Sequence, residues 1–338
     1  MRKEAAGGSG DTALVARGST GVGHETGNAI EVRNLAKSYK EVSVLRDVSF
    51  SVRRGTVFAL LGANGSGKTT TINILTTLLK ADDGTAYVAG FDVVAQPAEV
   101  RARISVTGQA AAVDDILTAR ENLVMMGQLR HVADPGRTAT DLLDRFELSD
   151  AADRRLATFS GGMRRRLDIA MSLVGEAPIV FFDEPTTGLD PKSRNDMWLT
   201  IRNLVETGTT VFLTTQYLEE ADHLADEIAI LHGGEIVAAG TPDELKAMMP
   251  AGLVELEFGG EAQLSAAEHV LGDQHSVSRV DSKLVVATTG SVGEMADVFI
   301  ELKNAGIEPT EFSRRLPTLD DVFFKILDDD RSRRAGAR

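Results

Sequence analysis

The sequence predicts an α/β fold followed by a smaller α+β unit, and three stretches carry that prediction. Val57-Phe58-Ala59-Leu60-Leu61 runs into Gly62-Ala63-Asn64-Gly65-Ser66-Gly67-Lys68-Thr69, a G-x-x-x-x-G-K-T pattern, and residues 70–75 suit a helix. Strand, glycine-rich turn and helix start are the context that a phosphate loop requires. Ile179-Val180-Phe181-Phe182 ends in Asp183-Glu184, as a buried parallel strand does when it delivers carboxylates at its C-terminal edge. Beyond about residue 248 the pattern changes to alternating strands and short amphipathic helices, which predicts a separate small core.

These stretches also imply chemistry. The loop glycines let backbone N–H groups wrap a phosphate chain, and the helix N-terminus adds partial positive charge. Lys68 then reaches β- and γ-phosphates, and the hydroxyl of Thr69 is a ligand for Mg²⁺. Asp183 is a second Mg²⁺ ligand, and Glu184 is placed to orient and activate a water for attack on the γ-phosphate.

Composition bounds the alternatives. A chain of 338 residues has room for two domains with real cores, and its 43% hydrophobic and 25% charged residues are ordinary for a globular protein. The net charge of −14 argues against nucleic acid as a partner and against unaided adsorption to an anionic membrane. With no cysteine, disulfides, thiolate metal sites and cysteine nucleophiles are excluded, and the six histidines show no ligand-like clustering. No apolar run is long enough to span a bilayer. Residues 1–28, rich in Gly, Ser and Thr without an apolar signal core, are expected to be a disordered tail.

In order, Ile30, Val32 and Leu35, then residues 44–52, read as two short half-buried strands, with Tyr39 between them. An aromatic ring there could stack on a base, although a lone tyrosine is more often structural. Strands are expected at 86–90 and 104–106, the second running into Thr107-Gly108-Gln109. A helical segment, about 110–177, follows: Thr118 and Glu121 stand at capping-box spacing, and Leu142, Leu143 and Phe146 form a stripe. Ser160-Gly161-Gly162-Met163 opens a helix carrying Arg164, Arg165 and Arg166, read as a solvated face. Pro191 starts a helix to about Glu206, strand 210–215 ends at Gln216, and an acidic helix carries Glu219 and Glu220. A hairpin turns at Gly233-Gly234. In the small unit, strands 253–258 and 284–288 alternate with helices, one opened by Ser291 with Glu294 and the last by Thr318 with Asp321. Residues 328–338 read as a charged, frayed tail.

The order phosphate loop, Gln109, Ser160-Gly161-Gly162, Phe182-Asp183-Glu184, Asp190 and Gln216 resembles the ATP-binding subunits of ABC transporters. The runs Thr214-Thr215-Gln216-Tyr217-Leu218-Glu219-Glu220-Ala221-Asp222, Ser160-Gly161-Gly162-Met163-Arg164-Arg165-Arg166 and Pro317-Thr318-Leu319-Asp320-Asp321-Val322-Phe323 are similar to its bacterial daunorubicin-resistance branch. That resemblance implies an ABC-type ATP-binding domain over 29–248 and an accessory domain over 249–327. It implies an ATPase that energises efflux of a hydrophobic or amphipathic drug through a separate ABC-2-type membrane permease, at the cytoplasmic face of the membrane. A lipid, polysaccharide or ion remains an alternative cargo, and a soluble non-transport ABC protein a remoter one.

By the same resemblance ATP with Mg²⁺ is the bound species. Tyr39 stacks on adenine, and Gly62, Asn64, Gly65, Ser66, Gly67, Lys68, Thr69 and Thr70 hold the phosphates. Glu184, Lys68, Gln216 and Gln109 are catalytic, and Thr69, Asp183 and Gln109 serve the metal. Ser160, Gly161, Gly162 and Asp190 act across a homodimer on the nucleotide of the second copy. The chain departs from the wider pattern in carrying Gln216 where histidine is usual and Met163 where glutamine is usual. A glutamine cannot become a cation, so turnover leans harder on Glu184 and Lys68. The accessory domain reads as a dimer-stabilising element, with a ligand-sensing role as the alternative.

Overall fold

The computed structural model describes residues 27–108, 113–175, 177–250, 252–280 and 282–336, with side chains to residue 327 in the last helix. Most of the expected amino-terminal tail, and Gln109, lie outside the described residues.

Asn28–Tyr39 (β1) and Val42–Arg53 (β2) pair antiparallel, and Tyr39 ends the first of them. Both are longer than the short strands expected. Register shifts between Val32 and Leu35 and around Lys37 interrupt the two-residue alternation without ending the pairing. After β3 (Val57–Leu61) the phosphate loop leads into α1 (Lys68–Leu75). Asp83–Val88 (β4) and Phe91–Asp92 (β5) join the first pair in a sheet ordered β2-β1-β4-β5, and α2 (Pro97–Arg101) leads to β6 (Ile104–Thr107).

Three helices follow: α3 (Ala119–Leu129), α4 (Pro135–Arg145) and α5 (Gly161–Ser172). The capping box is present at the start of α3, with Thr118 and Glu121 satisfying each other's backbone N–H. The stripe on α4 is apolar because Ala139, Leu142 and Leu143 face the core.

The chain then returns to the sheet through β7 (Ile179–Asp183), α6 (Pro191–Glu206), β8 (Thr210–Thr215), α7 (Leu218–Leu224), β9 (Glu227–His232), β10 (Glu235–Gly240) and α8 (Pro242–Lys246). The central sheet runs β10-β9-β3-β8-β7-β6, parallel except for the β9–β10 hairpin. Parallel pairing brings the ends of β3, β7 and β8 to one edge, with Leu61 beside Thr215 and Asp183 beside Thr214. Ligands of open α/β sheets bind outside that edge.

Alternation along the buried strands feeds two cores. Phe58, Leu60, Phe181 and Phe212 turn toward the antiparallel sheet and α1, where Phe58 and Phe212 stack at 5.5 Å. Val57, Ala59, Leu61, Val180, Phe182, Val211 and Leu213 turn the other way, onto α5, α6 and α7.

The carboxyl-terminal unit comprises β11 (Gly252–Glu257), α9 (Glu261–Gly272), β12 (Val277–Val280), β13 (Lys283–Thr288), α10 (Val292–Asn304), β14 (Glu311–Arg315) and α11 (Leu319–Gly336). Its antiparallel sheet, ordered β12-β13-β11-β14, packs Val254, Leu256, Leu284 and Val286 against Leu264 and Leu271 of α9 and Val298 and Leu302 of α10. Two expectations change here. The last helix runs on to Gly336 through the stretch expected to fray. Leu319 and Val322, its buried residues, join the core of α5, α6 and α7 and not that of the small sheet. The helix therefore ties the second unit to the first.

Candidate functional site

The loop between β3 and α1 has the shape its sequence implies. Gly65 and Gly67 lie at φ of 79° and 113°, and a Cβ on Gly62 would stand 2.5 Å from the Leu231 carbonyl oxygen. The Gly62 amide donates to the Thr215 carbonyl at 3.1 Å, which anchors the loop to the end of β8. Asn64 and Gly65 are exposed, Thr70 is half-buried, and the buried Ser66 hydroxyl has no partner among the described residues.

Lys68 is only 4% exposed, and its ammonium donates to the carbonyls of Gly62 at 2.8 Å and Ala63 at 3.2 Å. Its Nζ also stands 3.3 Å from Glu184 Oε1, so cation and carboxylate compensate each other in the buried floor of the site. The Thr69 hydroxyl donates to Asp183 Oδ2 at 3.1 Å, and the Thr214 hydroxyl to Asp183 Oδ1. Hydroxyl and carboxylate oxygens this close are the hard donor set that suits Mg²⁺, which takes one or two carboxylates and fills its shell with water and phosphate oxygens.

Glu184 occupies a left-handed backbone conformation, φ 50°, uncommon for a residue with a Cβ. Its amide donates to the Thr214 carbonyl at 3.1 Å, and the Thr187 hydroxyl donates to Oε2 at 3.2 Å. Neighbouring hydrogen bonds hold the strained residue in place, a pattern found at functional sites. Gln216 follows β8 directly and is half-buried.

The structure thus gathers Lys68, Thr69, Asp183 and Glu184. Among the described residues, no hydrogen bond joins this group to Tyr39, Asp190 or Ser160-Gly161-Gly162. Tyr39 is 46% exposed at the end of β1, with Lys37 Nζ 5.8 Å from its ring centroid. Ser160 caps α5 by accepting from the Met163 amide, and Asp190 caps α6, accepting from the Ser193 hydroxyl at 2.7 Å and its amide at 3.0 Å. Those bonds hold the Asp190 carboxyl below its ordinary range. A Cβ on Gly162 would meet Ser193 Oγ at 2.7 Å, so the starts of α5 and α6 touch.

Two residues near the site have roles that sequence reasoning missed. Arg165, expected on a solvated face, is 8% exposed. Its guanidinium donates to the Pro185 carbonyl at 3.0 Å, the Gly108 carbonyl at 2.8 Å and Asp168 Oδ2 at 3.0 Å. Burial lowers its pKa, and the Asp168 carboxylate opposes that shift. Glu220, in the helix read as acidic, is fully buried. The i, i+3 spacing of Arg165 and Asp168 could have flagged the pair, and Glu220, Ala221 and Leu224 fall on one helix face.

Comparison with known proteins bears on this geometry. Residues 45–187 match the family model described as ABC transporter, and residues 240–327 match that described as ATP-binding protein DrrA1-3-like, C-terminal domain. The daunorubicin/doxorubicin resistance ATP-binding protein DrrA of Streptomyces peucetius is 45% identical, over 90% of this chain and 94% of that protein. Nod factor export ATP-binding protein I of Sinorhizobium fredii is 33% identical, over 88% and 85%. Among solved structures, an ATP-binding subunit of an ABC transporter aligns with a TM-score of 0.59 at 29% identity, over 65% of this chain and 92% of that one. A dimeric ATP-binding cassette in a post-hydrolysis state with ADP and Pi aligns at 0.57 and 25%, over 63% and 98%.

Proposed function

We propose that this chain, which belongs to the ATP-binding subunits of ABC transporters of the daunorubicin-resistance type, drives export of a hydrophobic or amphipathic drug through a separate membrane permease. Its activity is ATP hydrolysis, and the nucleotide binds the phosphate loop. The observation that carries the mechanistic reading is the convergence of Lys68, Thr69, Asp183 and Glu184 at the edge of the parallel sheet. Relatives named for resistance to daunorubicin, doxorubicin and linearmycin support a drug as cargo. The relative named for Nod factor export supports the second reading, the same ATPase serving a different cargo.

In this mechanism the Lys68 ammonium leaves the loop carbonyls and Glu184 for the β- and γ-phosphates. Glu184, released from that pair, positions water against the γ-phosphate and accepts its proton. Thr69 and Asp183, with Gln109, hold Mg²⁺, which when bound offsets charge on the phosphate oxygens. Gln216 donates a hydrogen bond to the γ-phosphate. Gly62, Asn64, Gly65, Ser66, Gly67 and Thr70 complete the phosphate cradle, and Tyr39, exposed at a strand end, stacks on the base.

Ser160, Gly161 and Asp190, exposed at helix starts, and the half-buried Gly162 beside them serve the nucleotide of a second copy in a homodimer. Support comes from the lack of any hydrogen bond, among the described residues, between them and the Lys68, Thr69, Asp183 and Glu184 group, and from the dimeric relative holding ADP and Pi. ATP binding then closes the dimer and hydrolysis loosens it, a two-state change that an ABC-2-type permease reads. No helix among the described residues is long and apolar enough to cross a membrane, which is compatible with work at the cytoplasmic face beside such a partner. Residues 249–327 act as the dimer-stabilising accessory unit.

The test is Glu184→Gln in the full chain. ATP binding persists and hydrolysis falls about 100-fold or more; hydrolysis at the parental rate refutes the assigned role. Purification from gently solubilised host membranes recovers a multi-span permease, and recovery of ribosomal or DNA-associated proteins alone refutes the transport reading.

A further inference from the structure

The carboxyl-terminal sheet has two open edges with different chemistry. Its order is β12-β13-β11-β14, so β12 and β14 each have one strand neighbour among the described residues. An open edge offers N–H and C=O groups to another strand, and natural edges are guarded by shortness or by charge. β12 is four residues long, and its one charged side chain, Arg279, is tied to Glu261. β14, Glu311-Phe312-Ser313-Arg314-Arg315, is exposed along its first four residues, and Phe312 and the following Leu316 are 61% and 73% exposed.

Phe312 and Arg314 pair in register with Leu256 and Val254, whose side chains enter the small core, so both stand on the helix side of the sheet. There the Phe312 ring meets Phe299 of α10 edge-on at 5.0 Å. Glu311, Ser313 and Arg315 stand on the other side, where Arg315 donates to Glu255 and, at 2.7 Å, to Asp321.

Set antiparallel to a copy of itself about Ser313, this strand matches its own chemistry. Directly opposite residues share a face. Glu311 then faces Arg315 of the second copy, Phe312 faces its Arg314, and Ser313 faces its Ser313, and the two-fold axis makes the first two matches twice. Carboxylate with guanidinium, and guanidinium with aromatic ring, are attractive pairs. The neighbouring registers lose them. Centred on Arg314, the pairing sets that cation against itself; centred on Phe312, it leaves Glu311 opposite Ser313 and Arg314 opposite Thr310. β12 offers no such match, since pairing about Ser278 sets Val277 against Arg279.

We propose that β14 pairs with β14 of a second copy, antiparallel about Ser313, so that the two four-stranded sheets of a homodimer become one. The inference rests on the reading of the chain as a homodimer. The groups assigned to the nucleotide lie on other elements, so this contact holds the copies together without ATP. It keeps each Ser160-Gly161-Gly162 at high local concentration near its partner site after hydrolysis loosens the nucleotide interface.

The chain has no cysteine, so a single introduced thiol forms a disulfide only with its counterpart in another copy. Opposite residues of an antiparallel pair stand about 4.5–5.5 Å apart at Cα, within the disulfide range of about 4.4–6.8 Å, and a slip to either neighbouring register moves the two Ser313 positions out to about 7–8 Å. The experiment is mild oxidation of the full chain without nucleotide, for Ser313→Cys, for Ser278→Cys on the opposite edge, and for Ser313→Cys combined with Arg314→Asp, read on a non-reducing gel. Ser313→Cys cross-links about tenfold faster than Ser278→Cys, and adding Arg314→Asp slows it about fivefold. Cross-linking of Ser313→Cys no faster than that of Ser278→Cys overturns the inference, and so does a rate that Arg314→Asp leaves unchanged. Should Ser313→Cys not fold, sedimentation of the parent and of Arg314→Asp without nucleotide carries the test: a dimer dissociation constant raised about tenfold by the substitution supports it, and equal sedimentation overturns it. Glu184→Gln with ATP and Mg²⁺ keeps the two readings apart. If it sediments as a dimer while Ser313→Cys stays uncross-linked, only the inference fails; if neither associates, the homodimer reading fails and the inference with it.

Discussion

The buried Arg165–Asp168 pair invites a double-mutant cycle. Both side chains are under a tenth exposed, and they meet at 3.0 Å across one turn of α5. Arg165 also spends two hydrogen bonds on the carbonyls of Pro185 and Gly108, in the segments that follow β7 and β6. Arg165→Met takes the guanidinium away from a buried carboxylate and leaves two carbonyls unmet. Asp168→Leu leaves a buried guanidinium without its nearest carboxylate, in the weaker field of Glu220 and Asp183. Removing one partner of such a pair costs about 3–5 kcal/mol, whereas replacing both by apolar groups is commonly near neutral.

The two carbonyls keep the double variant from being neutral, at about 1–3 kcal/mol for each unmet group, reduced where the loop relaxes or admits water. The singles thus sum to about 6–10 kcal/mol, the double costs about 2–5, and the coupling falls between about 1 and 8 kcal/mol. Equilibrium urea denaturation of the full chain measures it. The emission of Trp198, the single tryptophan of the chain, reports on the same core as α5. If the double variant loses the sum of the singles to within about 0.5 kcal/mol, the two residues are independent and the reasoning is refuted. Singles that each cost less than about 1 kcal/mol refute it equally, since they return Arg165 to the solvated face.

Two further outcomes follow from the geometry. Gly67→Ala places a methyl 2.5 Å from Leu45 Cδ2 at φ 113°, so titration with a fluorescent ATP analogue shows affinity down about tenfold or more; parental affinity would clear the loop of that constraint. Asp321 is pushed up by burial but held below its ordinary 3.8 by the hydrogen bonds of Arg315 and Thr318, so its stabilisation is present above pH 3.8 and is lost as pH falls through the lowered value. Asp321→Asn therefore destabilises the chain at pH 7 by about 1 kcal/mol after allowance for solvent screening, and the gap to the parent closes on acidification below 3.8. A gap that widens on acidification would contradict that sign.

What the sequence disclosed and what it withheld divide along the range of the interactions. Phosphate loop, strand-end acids and helix caps are local: each is written in a few consecutive residues whose backbone needs and side-chain chemistry agree. Edge strands β12 and β14 were not legible, because Val-Ser-Arg-Val and Glu-Phe-Ser-Arg-Arg bury little and alternate weakly, and pairing with a central strand supplies what their side chains do not. The seating of α11 was hidden for a different reason. An apolar stripe announces that a helix is buried but not against which core, and Leu319 and Val322 found theirs across the domain boundary.

Arg165 was misread through its charge, which argues for solvent until a partner from elsewhere in the chain removes the penalty. Those partners are the carbonyls of Gly108 and Pro185. They lie in the segments after β6 and β7, the second of which carries Glu184, so the cation hardest to place from sequence is one that ties down the legible site.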